Sequence, residues 1–238
     1  TRSDLVLEFR RVLFRSTVHV WRLLGQLGFS PQRPVGRARE RDEAKIAGWK
    51  AKIGRALKKA RRERRTLVFL DESGLSQRPH RARTWAPRGQ TPVLTFNFNW
   101  KSLSAIAGLT PRNFYFRLHA GSIKSPQVIE FLQALHRQIP GKVLLLWDGA
   151  PIHRSKRVAA YLAQQTDWLH AERLPAYAPE LNPVEYLWSY WKEHELANFC
   201  PKDIWELGHA ASQALKRIRR RKRRPRLIAA FFAQAELF

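Results

Sequence analysis

Two short apolar segments of the sequence each end on an aspartate. Residues 67–71 read LVFLD and residues 144–148 read LLLWD, so Asp71 and Asp148 each follow a run of apolar side chains. In open α/β sheets, functional groups gather at the carboxyl ends of the strands. Two carboxylates that meet there repel each other unless a cation lies between them, so the pair indicates a divalent-metal site. For either aspartate alone, capping of the following turn is the stronger interpretation.

A third acid stands near the start of a predicted helix. Within LNPVEYLW, residues 181–188, Asn182 is a good N-cap and Pro183 a good first helical residue. Glu185 then falls three positions after the cap, where a capping box explains it fully. The apolar face of the same helix is expected to pack on the sheet, which would let Glu185 reach the strand ends. The spacing leaves both interpretations open.

The elements that must position these acids are typical of an α/β domain. Strands are predicted over 66–71, 91–99, 102–109, 113–121, 142–148 and 168–174, and helices over 125–141, 155–165 and 182–196. Strands that come first and then alternate with helices predict a mixed sheet flanked by helices. The continuous apolar run at 142–148 indicates a central strand covered on both faces.

The residues before this domain predict a different kind of element. A helix with one apolar face begins at Ser16 or Thr17 and stops at Gly28, and a basic arm containing proline follows. This is typical of the last helix of a helix-turn-helix, although any small surface helix fits equally well. The sequence contains no methionine, and residues 1–16 fit the translation of a sequencing adapter as well as a basic helix.

We therefore divide the chain into four regions. The expected regions are a non-native leader at 1–16, a truncated helix-turn-helix remnant with a basic linker at 17–65, the α/β domain at 66–198 and a basic C-terminal extension at 199–238. Only the third region is predicted to position the acids.

The charge balance predicts a polyanionic partner. The chain carries 44 Lys and Arg against 19 Asp and Glu, a net charge of +25, and such a field attracts nucleic acid. Residues 52–65 contain eight basic side chains and residues 216–226 contain nine. The side chains predicted to contact nucleic acid are Lys58, Lys59, Arg61, Arg62, Arg64, Arg65, Arg219, Arg220 and Arg221. The alternatives are solvated helices or a disordered tail and, for the whole protein, RNA or a membrane surface as the partner.

Other features of the composition exclude several classes of protein. The single Cys200 excludes an internal disulfide framework and favours a reducing cytoplasm. No apolar run approaches the roughly 18–20 residues of a membrane span. No phosphate-cradling glycine loop is visible, so nucleotide hydrolysis is not implied. We therefore expect a cytoplasmic protein without a membrane partner.

Four blocks of sequence resemble one known family. They are VFLDESG at 68–74, WAPRGQTP at 85–92, WDGAPIHRSKRV at 147–158 and LPAYAPELNPVEYLW at 174–188. In this order and spacing they resemble the catalytic domain of the DDE transposases of the bacterial insertion sequence six-thirty family, which is related to mariner elements. The resemblance runs from about Leu67 to Leu196. One departure is Gly149, where many relatives have Asn, and we interpret it as a tolerated variation.

The resemblance implies a ribonuclease-H-like fold in which Asp71, Asp148 and Glu185 are the catalytic and metal-binding acids. It implies two Mg²⁺ ions, with Mn²⁺ as a substitute, and cleavage and transfer of DNA strands. The implied partners are double-stranded DNA and a second subunit of a homodimer, at the bacterial nucleoid. The alternatives are a decayed DNA-binding remnant without catalysis and a ribonuclease-H-like nuclease that cleaves without transposing.

Two further residues lie close to these acids in the sequence. His153 follows Asp148 by five positions, where relatives also carry His, and the resemblance makes it an accessory residue that positions a phosphate or the second aspartate. A purely local hydrogen-bonding role is the more ordinary interpretation of a lone histidine. Glu72 is expected to point to the opposite side of the strand from Asp71, so it is not assigned to the site.

Overall fold

The computed structural model describes residues 16–32, 34, 36–97 and 101–235, and the chain divides into two compact units, 1–39 and 40–238. The first unit contains helix α1, Thr17–Gln26. Its N-cap is Ser16, whose side chain accepts a hydrogen bond from the His19 amide at 3.2 Å. It stops where predicted, because Gly28 adopts a φ of +80°, a left-handed conformation that glycine tolerates.

The second unit is built on a five-stranded mixed sheet with the order β3-β2-β1-β4-β5. The strands are β1 Thr66–Ser76, β2 Ser102–Leu109, β3 Phe114–Ala120, β4 Val143–Trp147 and β5 Leu169–Arg173. Strands β1, β4 and β5 run parallel, whereas β2 is antiparallel to both β1 and β3. The carboxyl ends of β1, β3, β4 and β5 therefore share one edge of the sheet. The predicted mixed sheet is confirmed.

Helices cover both faces of this sheet. They are α2 Glu43–Arg62, α3 Ser125–Gln138, α4 Lys156–Ala163, α5 Pro183–Tyr190, α6 Ile204–Arg220 and α7 Arg224–Gln234. A 3₁₀ turn, Pro179–Leu181, precedes α5, and a π-helical turn, Trp191–Glu195, follows it. Helices α3 and α4 pack on the face that carries Val68 and Leu70, and the others pack on the face that carries Phe69. Alternate residues of β1 thus enter two separate cores, as the pleat of a strand requires.

Strand β1 is longer than the sequence predicted. Its pairing with β4 ends at Phe69, but its pairing with β2 continues from Asp71 opposite Ala107 to Ser76 opposite Ser102. Asp71 therefore lies inside the strand rather than at its end. Because β4 has already stopped, the backbone edge of β1 beside Asp71 faces the region where Asp148 begins.

One predicted strand is absent, and one of the two interpretations left open for the C-terminal segment was wrong. Residues 91–97 form no strand despite their period-two pattern, because no neighbouring strand pairs with them and most of their side chains are exposed; residues 98–99 of that prediction lie outside the described part. The segment after residue 199 is not a solvated or disordered tail over its described length. Helices α6 and α7 bury Ala211, Leu215 and Phe231 in the core that contains Phe69.

The basic segment at 52–65 belongs to a helix that begins earlier and packs on the sheet. Helix α2 buries Ile46 and Ile53 in the same core as Phe69. Trp49 Nε1 also donates a hydrogen bond to the Arg173 carbonyl at 2.7 Å, at the end of β5. One face of the helix is therefore structural, and only its other face can meet a ligand.

We predict that α2 is required for the stability of the second unit. A chain that begins at residue 66 loses the burial of Ile46 and Ile53, which contribute about 3–6 kcal/mol together. A chain that begins at residue 40 keeps the helix and is expected to unfold at nearly the denaturant concentration of the full chain. Urea unfolding followed by circular dichroism compares the two; equal stability of both truncated chains would contradict a structural role for α2.

Candidate active site

The structure brings the three predicted acids to one edge of the sheet. Asp71 lies in β1, Asp148 directly follows β4, and Glu185 lies in the first turn of α5. Their charges act on one another: Glu185 and Asp148 both raise the pKa of Asp71, and Asp148 raises that of Glu185. These effects are secondary to burial, but they require the carboxylates to be neighbours.

Asp71 is the most deeply buried of the three. Its exposed fraction is 8%, and burial raises the pKa of its carboxyl well above the usual range, with the charges of Glu185 and Glu72 as the next causes. One hydrogen bond opposes this rise, because Trp188 Nε1 donates to Asp71 Oδ2 at 2.9 Å. The sequence pattern indicates Trp188 only as an apolar side chain on the sheet-facing side of α5, so it gives no sign of this polar contact.

Asp148 is in a different environment, since it is half-exposed and well supplied with hydrogen-bond donors. Its Oδ1 accepts the Ala150 amide at 2.9 Å and lies 2.7 Å from His153 Nδ1. The hydrogen bond from His153 lowers the pKa of Asp148, against the effect of partial burial. The turn-capping contact that the sequence suggested for this residue therefore exists, together with a second contact that capping does not need.

His153 lies between two carboxylates, those of Asp148 and Glu72, and contacts both. Its side chain is fully buried and stacks on Trp147 with ring centroids 4.3 Å apart. While Nδ1 faces Asp148, Nε2 lies 3.1 Å from Glu72 Oε1. Burial lowers the pKa of His153, but the hydrogen bonds to Asp148 and Glu72 outweigh it and raise the pKa to about 9. A doubly protonated ring is the form that donates to both acids.

Glu72 therefore takes part in the site, although it was set aside on the strand pattern. The pattern itself was read correctly, because Glu72 follows Leu70 on the face opposite Asp71. What the pattern could not show is that the turn after Asp148 carries His153 to that opposite face. A contact across 81 residues of sequence leaves no local signal.

Glu185 is not engaged in a capping box. The Asn182 amide, which a capping box would direct to the Glu185 side chain, donates to the Pro179 carbonyl at 2.9 Å instead. Asn182 caps the helix with its own Oδ1, and its Nδ2 donates to the Leu70 carbonyl at 3.3 Å. This second bond ties the start of α5 to β1 next to Asp71. Burial raises the pKa of Glu185, which lies beside the other acids rather than on the cap.

A lysine that the sequence analysis did not single out also lies at this edge. Lys192 Nζ donates a hydrogen bond to Ser73 Oγ at 2.7 Å. It also lies close enough to Glu185 and Asp71 for their charges to affect its pKa. Burial lowers the pKa of Lys192, against the effect of those two carboxylates. Its position two helical turns after Glu185 is the signal that could have revealed it.

The carboxylate oxygens at this edge fit a hard divalent cation whose remaining ligands come from water and substrate. Among the described residues, no group of three or more His, Cys, Asp or Glu side chains is arranged to hold a metal ion by itself. Mg²⁺, however, is usually held by one or two carboxylates, with waters and substrate phosphates completing its coordination. A buried carboxylate beside two other acids is also the arrangement that a cation relieves. Asp71, Asp148 and Glu185 would hold such an ion.

The predicted nucleic-acid contacts do not gather at this edge. Exposed Lys58, Arg61, Arg62 and Arg64 precede the amino end of β1, which lies roughly 16 Å along the strand from Asp71 at about 3.3 Å per residue. Lys59 pairs with Glu63 at 3.8 Å, and Arg65 Nε lies 2.6 Å from the same carboxylate.

The second basic segment is partly used to hold helices together. Arg221 Nη2 lies 2.6 Å from Glu195 Oε1 and its Nη1 contacts the Tyr190 hydroxyl. The Arg219 guanidinium lies 5.7 Å from the centre of the Phe116 ring. Arg220 is exposed and has no side-chain partner within the described residues.

A mixed sheet with acids at the carboxyl edge of its adjacent parallel strands, and a third acid on the helix that packs there, defines the ribonuclease-H-like class. The sequence profile of the DDE superfamily endonuclease family matches residues 66–207, and this chain belongs to that family. A winged helix-turn-helix profile matches residues 8–53. None of the curated protein sequences compared matches the chain.

Solved structures share this fold. A Mos1 mariner paired-end complex with Mn has a TM-score of 0.65 and 22% identity over 93% of this chain and 69% of that chain. The corresponding complex with Mg has a TM-score of 0.64 and 20% identity over 90% and 66% of the two chains. A Mos1 strand transfer complex has a TM-score of 0.57 and 19% identity over 92% and 70%.

We predict that Asp71→Asn stabilises the protein in the presence of a chelator. The native pKa of Asp71 is raised, so between its usual value and that raised value the folded protein retains a proton that the unfolded chain has lost. Stability therefore falls as pH rises through this window. Asn cannot ionise, and the gain should grow from near zero at about pH 4 to about 1–3 kcal/mol near neutrality.

Denaturant unfolding at several pH values measures this gain, and Asp167→Asn is the matched control because Asp167 is exposed. The control should leave stability unchanged at every pH. A gain for Asp71→Asn that does not vary with pH would refute the electrostatic explanation.

Proposed function

We propose that this chain catalyses metal-dependent cleavage and transfer of DNA strands, as the transposase of a bacterial insertion sequence. The observation that carries the proposal is the placement of Asp71, Asp148 and Glu185 at one edge of the sheet, close enough for the charges of Glu185 and Asp148 to reach buried Asp71. Membership of the endonuclease family supports the cleavage step. Shared fold with Mos1 structures described as paired-end and strand transfer complexes supports the transfer step and a DNA partner.

The metal would supply activation of water and stabilisation of the leaving 3′ oxygen, and we propose two Mg²⁺ ions, with Mn²⁺ as a substitute. The chain's own groups perform the positioning. Asp71 reaches the site from β1 and Glu185 reaches it from α5. Asn182 ties these two elements together. Trp188 fixes one oxygen of Asp71 and covers it from water.

We further propose that Glu72 and His153 are positioning residues for Asp148. The His153 ring holds one Asp148 oxygen, so the other remains for the metal. Glu72 holds the far nitrogen of the ring, and Trp147 fixes the ring plane. Such partners of metal ligands commonly contribute about 10–100-fold to metal affinity or activity.

The proposed partner is double-stranded DNA, bound by a homodimer in the bacterial cytoplasm at the nucleoid. Exposed Lys58, Arg61, Arg62, Arg64 and Arg220 are proposed to attract the duplex, whereas Lys59, Arg65, Arg219 and Arg221 do so less, because internal contacts already hold them. The winged helix-turn-helix match supports a DNA-binding region near the amino end. No helix in the described part of the chain is long and apolar enough to span a bilayer.

The test uses DNA carrying the inverted repeats that flank the gene, incubated with protein and Mg²⁺. We expect nicking at the repeat ends and joining of the freed ends to a second DNA. Asp148→Asn and Glu185→Gln should lower the cleavage rate by about a hundredfold or more. Both variants should bind duplex DNA in chelator as the native chain does, because the basic surface is unchanged.

The outcomes separate the alternatives. Cleavage without joining would replace the proposal with a nuclease that does not transpose. Binding without cleavage by the native chain would indicate a decayed DNA-binding remnant. Cleavage that survives both substitutions would remove the acids from the mechanism.

For the positioning residues, we predict that His153→Gln and Glu72→Gln each weaken the Mg²⁺-dependent rise in melting temperature and lower cleavage about tenfold or more. Combined, they should cost little more than either alone, because both act through one carboxylate. The control pair is His170→Gln and Glu172→Gln, an exposed His–Glu contact of 3.3 Å on β5. Loss of stability in chelator with an unchanged metal response would mean that the pair is merely structural.

A further inference from the structure

The starts of two helices meet beside the acids. Helices α3 and α4 follow β3 and β4, whose carboxyl ends share the edge that carries Asp148. The two helix starts are joined by a hydrogen bond of 2.8 Å between Ser125 Oγ and Ser155 Oγ. The residues next to these two serines therefore form one continuous surface.

Four cations surround this serine pair. Lys124 precedes Ser125, Arg154 precedes Ser155, and Lys156 and Arg157 open α4. All four side chains are exposed, and none has an ion-pair partner among the described residues. Arg154 is close enough to Asp148 to lower the pKa of that acid, after the larger effect of the His153 hydrogen bond. The group therefore borders the active site.

The local structure does not balance this charge. Neither α3 nor α4 has an acid in its first turn that could pair with these cations. Cations at the start of a helix are slightly unfavourable, because the helix dipole already places partial positive charge there. An external anion that binds beside these unpaired cations would remove this unfavourable interaction.

We propose that Lys124, Arg154, Lys156 and Arg157 form the surface that binds the phosphates of the duplex on either side of the bond to be cleaved. This deepens the proposed function and rests on it. The basic segment at 58–64, which lies toward the opposite end of the sheet, does not hold DNA at the acids. Arg154 follows His153, which contacts Asp148, and one of the two bonded serine hydroxyls keeps a hydrogen that can be donated to a phosphate oxygen.

The experiment compares two triple variants that remove the same charge from exposed positions. Arg154→Gln, Lys156→Gln and Arg157→Gln are combined in one chain, and Arg112→Gln, Arg137→Gln and Lys142→Gln, which are not assigned to DNA binding, in the control. Affinity for a short duplex is measured in chelator over a range of salt concentrations. Each phosphate contact contributes about −0.9 to the slope of log K against log salt, so three lost contacts flatten it by about 2–3.

We expect that flattening for the first variant and a change below about one for the control, with equal melting temperatures for both. An equal or larger effect of the control, or an unchanged slope in the first variant, would overturn the proposal. Because the binding is measured without metal, the result stands apart from catalysis. A native chain that binds with the expected slope but never cleaves counts against the proposed function alone.

Discussion

The arrangement of the three acids depends on the burial of one carboxyl group, that of Asp71. Asp71 lies within β1, covered by α5, with one hydrogen-bond donor among the described residues and other acids as neighbours. Removing an uncompensated carboxylate from water costs several kcal/mol. The surrounding structure is built to tolerate this cost: β1 continues past β4 on its pairing with β2, and Asn182 fixes the helix that carries Glu185 and Trp188 to the same strand. The two elements hold the acids together through this hydrogen bond and through the packing of the helix on the strand.

The two aspartates differ because different elements deliver them. Asp71 comes from a strand interior, where the backbone bonds are already used by β2 and only a side chain from the covering helix can serve the carboxylate. Asp148 comes from a turn, where a free amide and His153 are available. One pKa is therefore raised and the other lowered, although the residue type is the same. Groups whose surroundings separate their pKa values in this way are typical of sites that do chemistry.

Much of this could be predicted from the sequence, and the misses share a cause. Apolar runs and helix caps are local signals, so the mixed sheet, α1 with its Gly28 stop, α3, α4 and α5 were predicted, and the edge for the acids followed from the strand directions. The failures concern contacts between distant segments. Residues 91–97 carry a strand pattern but lack a neighbouring strand, while Glu72, Trp188 and Lys192 acquire their roles from residues 81 to 119 positions away. Neither period nor composition encodes such pairings.

The basic residues show the same limit of sequence-based prediction, because composition does not reveal which of them pair with acids inside the protein. A net charge of +25 counts every arginine equally, but helical periodicity divides them. Helix α6 buries Leu215 and Ile218 on one side. Arg217 in this helix and Arg221 directly after it both contact the nearly buried Glu195 and so stabilise the packing of the helix. Arg220, between them, projects to solvent. Because each carboxylate cancels only one positive charge, the field that reaches a polyanion is set by the excess of cations over acids on each surface and by its position. The chain thus confines its free positive charge to particular surfaces, and the distance of each surface from Asp71 and Asp148 decides whether DNA bound there can reach the acids.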